Sequence, residues 1–284
     1  MRLLDLPQAE YFCTPAPPTG APIGRQSLVA FHDSRRKGSA LLKEGTLEFQ
    51  VHQVNLLDSI DRWLVYSLAH YRRSVDMLVP VSAPWAHVTL YYASFFAANA
   101  ILGIFGCWIG QAQRGARVVD VEHGIAGSQE LRIHRGLASP SGVKGSHRAF
   151  WDFFYDGTAT IAAWAPAALA PALIPVNGDF AWQIAERNNV NYDMFHAGTA
   201  SGLFYRTFKP SKLKTLSGPL QLQFETTERL IKLALHFASA ASFSTASLSG
   251  CGFAGTRLQI QKRLTSQSPP SVSKQSGFHG LVEL

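Results

Sequence analysis

Hydrophobic positions set the first expectations. From residue 58 to about 79, Ile60, Leu64, Leu68, Tyr71, Val75 and Leu78 step by four and three, which predicts an amphipathic helix closed by Pro80 and Pro84. From 85 to about 109, Tyr91, Phe95, Ala98, Leu102, Phe105 and Ile109 form a second stripe. Ala93, Ala97, Ala100 and Gly103 run beside it as a row of small residues that lets another helix approach closely. A third helix is expected over 146–164, with Phe150, Phe154, Ile161 and Trp164 facing inward. A fourth is capped by Asn177 or Asp179 and runs through Phe195. A fifth covers 219–240, with Phe224, Ile231, Ala234 and Phe237 inward and Glu225/Arg229 and Glu228/Lys232 as i,i+4 pairs in the favoured order.

Elsewhere the pattern changes. Residues 46–54 alternate, with Leu47, Phe49 and Val51 against Glu48, Gln50 and His52, which reads as a short half-buried strand. Residues 117–122 and 130–134 read as two strands around Gly124-Ile125-Ala126-Gly127-Ser128, a hairpin inserted into the helical region. The expected organisation is a Pro/Gly-rich arm with a short strand over 1–54 and a helical bundle over 55–240 with an insertion at 111–146. A Ser-rich, basic, disordered tail over 241–284 completes it. The fold class is therefore all-α, an up-and-down bundle with a small β-hairpin insertion and disordered termini.

Composition narrows the setting. With 46% hydrophobic and 16% charged residues in 284, the chain can build a sizeable core. The net charge of +7 lies wholly in the last quarter: from Arg206 onward there are ten Lys/Arg against three Asp/Glu. Such a segment is either a solvated basic tail or a surface for a polyanion. Cys13, Cys107 and Cys251 give neither metal spacing nor a disulfide framework, which fits a reducing, cytoplasmic setting. The first residues have no long apolar run, so no signal peptide is expected. Residues 88–110 and 157–178 are uncharged and long enough to raise a membrane reading. Small and polar residues in the first stretch, and Pro166, Pro171 and Pro175 in the second, favour buried core helices.

Most motifs carry no chemistry. Gly250-Cys251-Gly252-Phe253-Ala254-Gly255 fits G-x-G-x-x-G, but its Ser- and Arg-rich flanks lack the strand, helix and acid of a dinucleotide site. His123, His134 and His147 group loosely in the insertion without metal spacing, and a loop histidine is ordinarily solvated. No metal and no cofactor is expected.

Two segments stand apart. One is Leu90-Tyr91-Tyr92-Ala93-Ser94-Phe95-Phe96-Ala97-Ala98-Asn99-Ala100-Ile101-Leu102, and the other is Ala185-Glu186-Arg187-Asn188-Asn189-Val190-Asn191-Tyr192-Asp193. With Ser-His-Arg-Ala-Phe-Trp at 146–151, where a further helix would open, they resemble the HEPN superfamily of helical bundles. The resemblance spans roughly 55–240 without the insertion, and its motifs are short. It implies an RNA- or nucleotide-engaging protein, its further partners being a second copy of the chain and an antitoxin or other protein. In catalytic form such a protein is a metal-independent endoribonuclease of bacterial toxin–antitoxin or phage-defence systems. There, arginine holds phosphate and histidine, four to six residues on, moves protons.

Arg187 and Asn188 match the start of that motif, and Tyr192 stands where the shortest spacing wants histidine. His196 is the nearest histidine, and nine steps of straight helix, about 900°, turn it away from Arg187. The run Arg-x-x-Val-Asn-Tyr is closer to a HEPN branch whose motif lacks histidine. The catalytic reading assigns Arg187 and His196, with Asn188, Asn191 and Tyr192 binding substrate. The alternatives are a non-catalytic binding or assembly module and, least favoured, a membrane-embedded helical protein.

Overall fold

Thr46 opens the longest element. Its side chain accepts from the Phe49 amide, capping a helix that runs Leu47–Asp76, with Glu48 in the first turn where the positive end of the helix dipole favours an acid. The strand expected over 46–54 is thus a helix. The alternation of Leu47, Phe49 and Val51 is a brief coincidence of the first turn, where Leu47 is 65% exposed and Phe49 1%. This element is α3 in chain order. Before it come α1 (Leu6–Cys13), α2 (Leu28–Ser34) and strand β1 (Leu41–Lys43). After it come α4 (Ala83–Ile104), β2 (Trp108–Ala112), β3 (Gly115–His123), β4 (Glu130–Arg135), α5 (Ser146–Thr158), α6 (Trp182–Tyr192) and α7 (Gly218–Ala240). The computed structural model describes residues 1–15, 27–34, 40–78, 83–112, 115–142, 146–192 and 218–243. The tail expected over 241–284 lies almost wholly outside the described residues.

The described chain is mostly helical, with a small antiparallel sheet. α4 is the central helix. It packs against α3, α6 and α7, and it buries Leu90, Tyr91, Ala93, Ala97, Ala100 and Ile101 completely. The row of small residues does what its spacing predicts: a Cβ built on Gly103 would lie 2.7 Å from Ile60 Cγ1, so α3 and α4 touch almost backbone to side chain there. Across the other face, Ser94 shares a 2.8 Å hydrogen bond with Thr227 of α7, and Phe105 meets Phe237 edge-on at 4.9 Å. α4 is long and apolar enough to cross a membrane, but 72% of its apolar window is covered by the protein itself, as befits the middle helix of a bundle. Gly106, with φ +76°, ends it: the Gly106 and Cys107 amides return to the carbonyls of Gly103 and Leu102, and the chain turns into β2. The helix expected to reach 109 therefore stops at Ile104.

The hairpin expected in the insertion is β3–β4, with Val119 opposite Ile133 and an irregularity between Val121 and His123. It is the middle of a larger sheet ordered β1-β4-β3-β2. β1 comes from the segment expected to be a loose arm, and it pairs Leu41 with Arg132 and Lys43 with Glu130. That segment is tied down elsewhere too. Asp5 and Gln8 form a reciprocal capping box on α1, whose Ala9, Phe12 and Cys13 are fully buried, and Gln53 donates to the Phe12 carbonyl at 2.7 Å. His32 of α2 stacks on Trp108 of β2 and meets His52 of α3 at 3.1 Å. The N-terminal segment is apolar enough to fold onto the core, which its prolines obscured.

α5 buries Phe150, Trp151, Phe153 and Phe154, then tightens into a 3₁₀ turn, Ala159–Trp164, which leaves Trp164 42% exposed rather than inward. Asp179 accepts from the Ala181 amide just ahead of α6.

Candidate functional site

Three helices converge on the ring of Tyr91. α6 packs on α4 and buries Ile184 in the core, which brings Arg187 alongside α4. The Arg187 guanidinium carbon lies 5.1 Å from the centroid of the Tyr91 ring, within range of a cation–π attraction. Its Nε and Nη2 both donate to Asn188 Oδ1, at 3.2 and 2.8 Å. A guanidinium has five N–H groups, and among the described residues its other N–H groups make no hydrogen bond. Among the described residues no carboxylate pairs with Arg187, so its charge is not cancelled within the site.

Tyr91 itself is fully buried, and its hydroxyl reaches Nδ1 of His147 at 2.7 Å. His147 stands in the first turn of α5, half-buried, with its ring 5.1 Å from Phe95 and 5.6 Å from Tyr91. Burial pushes the Tyr91 phenol well above its ordinary range, against the opposing pull of Arg187, so it remains protonated at neutral pH. Burial, and then the positive charge of Arg187, push His147 below its ordinary value. The site at neutral pH is a cation, a neutral imidazole and a neutral phenol in one line of contacts. The hydroxyl can donate to Nδ1 or accept from it, and in the second case Nε2 holds a free lone pair.

The site residues named from sequence are only partly assembled. Arg187 and Asn188 lie side by side on α6, with Arg187 over the Tyr91 ring. Asn191 and Tyr192 lie on the last turn of α6, one turn on from Arg187 and Asn188 along the backbone, and their side chains lie outside the described residues. His196 lies outside the described residues as well. The residues missed are Tyr91 and His147. Both sat in the segments that carried the family resemblance, but His147 was grouped with loop histidines. It is no such thing: His123 is exposed, His134 pairs with Asp120 at 2.8 Å, and His147 faces Tyr91 on a different element. A histidine at the second position of an aromatic-rich helix was the available signal. Among the described residues, no group of three or more His, Cys, Asp or Glu is placed to hold a metal ion.

No protein-family model, no curated protein and no solved structure matches this chain.

Proposed function

We propose that the chain engages RNA or a nucleotide through its phosphate, at the Arg187–Tyr91–His147 cluster. The observation that carries this is an arginine without a carboxylate partner among the described residues, held on an aromatic face beside a neutral histidine. Phosphate supplies the missing negative charge and accepts the N–H groups that Asn188 leaves over. The segments that build the cluster are the ones that resemble HEPN proteins, which supports a HEPN-like reading. A dimeric protein of a bacterial defence or toxin–antitoxin system follows from that resemblance alone, while the cytoplasmic setting rests on the cysteine usage.

In the catalytic version His147 replaces His196 as the proton-moving group. Its Nε2 takes the proton of a ribose 2′-hydroxyl as that oxygen bonds to the adjacent phosphorus. The bond from phosphorus to the 5′-oxygen breaks, water protonates the leaving oxygen, and Arg187 balances the charge growing on the phosphoryl oxygens. No metal takes part in these steps. In the non-catalytic version the same cluster binds phosphate without cleavage.

The test is incubation of a labelled RNA pool in EDTA with wild type, Arg187→Ala, His147→Ala and His196→Ala. Cleavage to 2′,3′-cyclic phosphate ends, lost on changing Arg187 or His147 and kept on changing His196, is the expected result. Binding that needs Arg187, without cleavage, selects the non-catalytic version. Wild-type protein that is folded but neither binds nor cleaves RNA sinks the proposal.

A further inference from the structure

Beside the cluster lies a row of partly exposed aromatic side chains along α3 and α4, of which Tyr92 also packs against the core. On α3, Arg62, Tyr66, His70 and Arg73 follow one another by four, four and three, so they share one face of the helix. On α4, Trp85, Thr89, Tyr92 and Phe96 do the same by four, three and four. Where the two stripes meet, Tyr66 touches Phe96 at 5.4 Å between ring centroids, Phe96 touches His70 at 5.2 Å, and His70 approaches Tyr92 at 6.4 Å. Tyr92 then meets Tyr91 edge-on at 5.4 Å, and Tyr91 carries Arg187 and His147. Tyr66 is 45% exposed and Trp85 61%, while His70, Tyr92 and Phe96 are half-buried. The rings of the row meet at 52–55° rather than lying parallel, so their π faces are not used up on one another.

Resting on the phosphate-binding reading of the cluster, we infer that the ligand is single-stranded RNA whose unpaired bases stack along Tyr66, His70, Phe96 and Tyr92 while its backbone reaches Arg187. Proteins that hold single strands combine aromatic platforms with cations that follow the backbone, and this face has both. Arg62 is paired with Asp58 at 2.8 Å, whereas Arg73 is exposed and has no carboxylate partner among the described residues. A polyanion brings the charge that this stripe calls for, and a second copy of the same stripe does not. A duplex keeps its bases stacked inside itself and cannot use the row.

The experiment is fluorescence anisotropy of the full chain with a short labelled RNA strand, the same strand in a duplex, and an abasic strand of equal length. Tyr66→Ala weakens binding of the single strand by about tenfold, leaves binding of the abasic strand unchanged, and does not disturb the fold at this exposed position. Tyr66→Phe keeps the stacking face and binds as wild type. Three results overturn the inference: equal wild-type affinity for all three ligands, no loss in Tyr66→Ala, or a loss that sedimentation traces to a broken dimer. Binding that depends on Arg187 but not on Tyr66 leaves the proposed function standing without this face. Absence of any RNA binding by wild type removes both.

Discussion

The state of His147 is set by two neighbours that act in the same direction, the apolar wall around it and the charge on Arg187. If its imidazole takes a proton during RNA cleavage, the rate climbs with pH only until the ring is neutral. Because burial and Arg187 hold the folded value below the ordinary one, that plateau is reached at a lower pH than an unperturbed histidine would give. Arg187→Gln removes the second cause but not the first, so the inflection of any residual activity, or of the His147 ring signal in NMR, moves upward. An unmoved inflection shows that the two groups are not coupled. Arg187 and Asn188 were legible in the sequence because they are adjacent within one motif. His147 was not, because its meaning depends on Tyr91, which precedes it by the length of the sheet. Spacing rules see partners on one helix. They do not see a histidine and a tyrosine brought together by helix packing.

Helix contacts were more legible than helix ends. The Ala93, Ala97, Ala100 and Gly103 row could be read from spacing alone, and it lies where α4 is most deeply covered. Gly103→Ala offers a test. The added methyl gains about 1 kcal/mol of helix propensity. It would also meet Ile60 Cγ1 at 2.7 Å, with Leu56 at 3.4 Å behind it. Overpacking of a tight core costs about 1–3 kcal/mol, so the net effect is a loss of stability, seen as a lower urea midpoint. A raised midpoint instead shows that α3 yields at this crossing. The start of α3 was illegible for the opposite reason. Over a few residues, alternation and the opening of a helix look alike, and the Thr46 cap is a single hydrogen bond that the periodicity does not register.

Across the whole molecule, α2, α3 and β2 meet at a pair of buried histidines, His32 and His52. Burial first, and then the neighbouring His32, hold His52 well below its ordinary range. The unfolded chain therefore binds a proton at His52 that the folded chain refuses. Stability is full above about pH 6.5 and falls as pH drops below it toward the folded value, by up to about 1.4 kcal/mol per pH unit. Urea midpoints compared at about pH 7.5 and about pH 5 check this, and His52→Gln should lose less over the same interval. An identical loss in the variant assigns acid sensitivity to other groups. This junction escaped the sequence reading because residues 28–34 fell in the Pro/Gly-rich arm and His52 in an expected strand, so nothing in the pattern brought the two histidines together.

The pairing of β1 with β4 carries a consequence in time. β3 and β4 can zip together as soon as their short turn forms, but Leu41–Lys43 must return across α3 and α4 to reach them. Ladders between distant parts of a chain form slowly, since the intervening loop has to close first. Until β1 arrives, the outer amides and carbonyls of β4 are bare, and a bare strand edge pairs with whatever strand comes near. The three residues of β1 are thus a late-arriving guard, and the interval before they dock is when a newly made chain is most open to sticking to its neighbours.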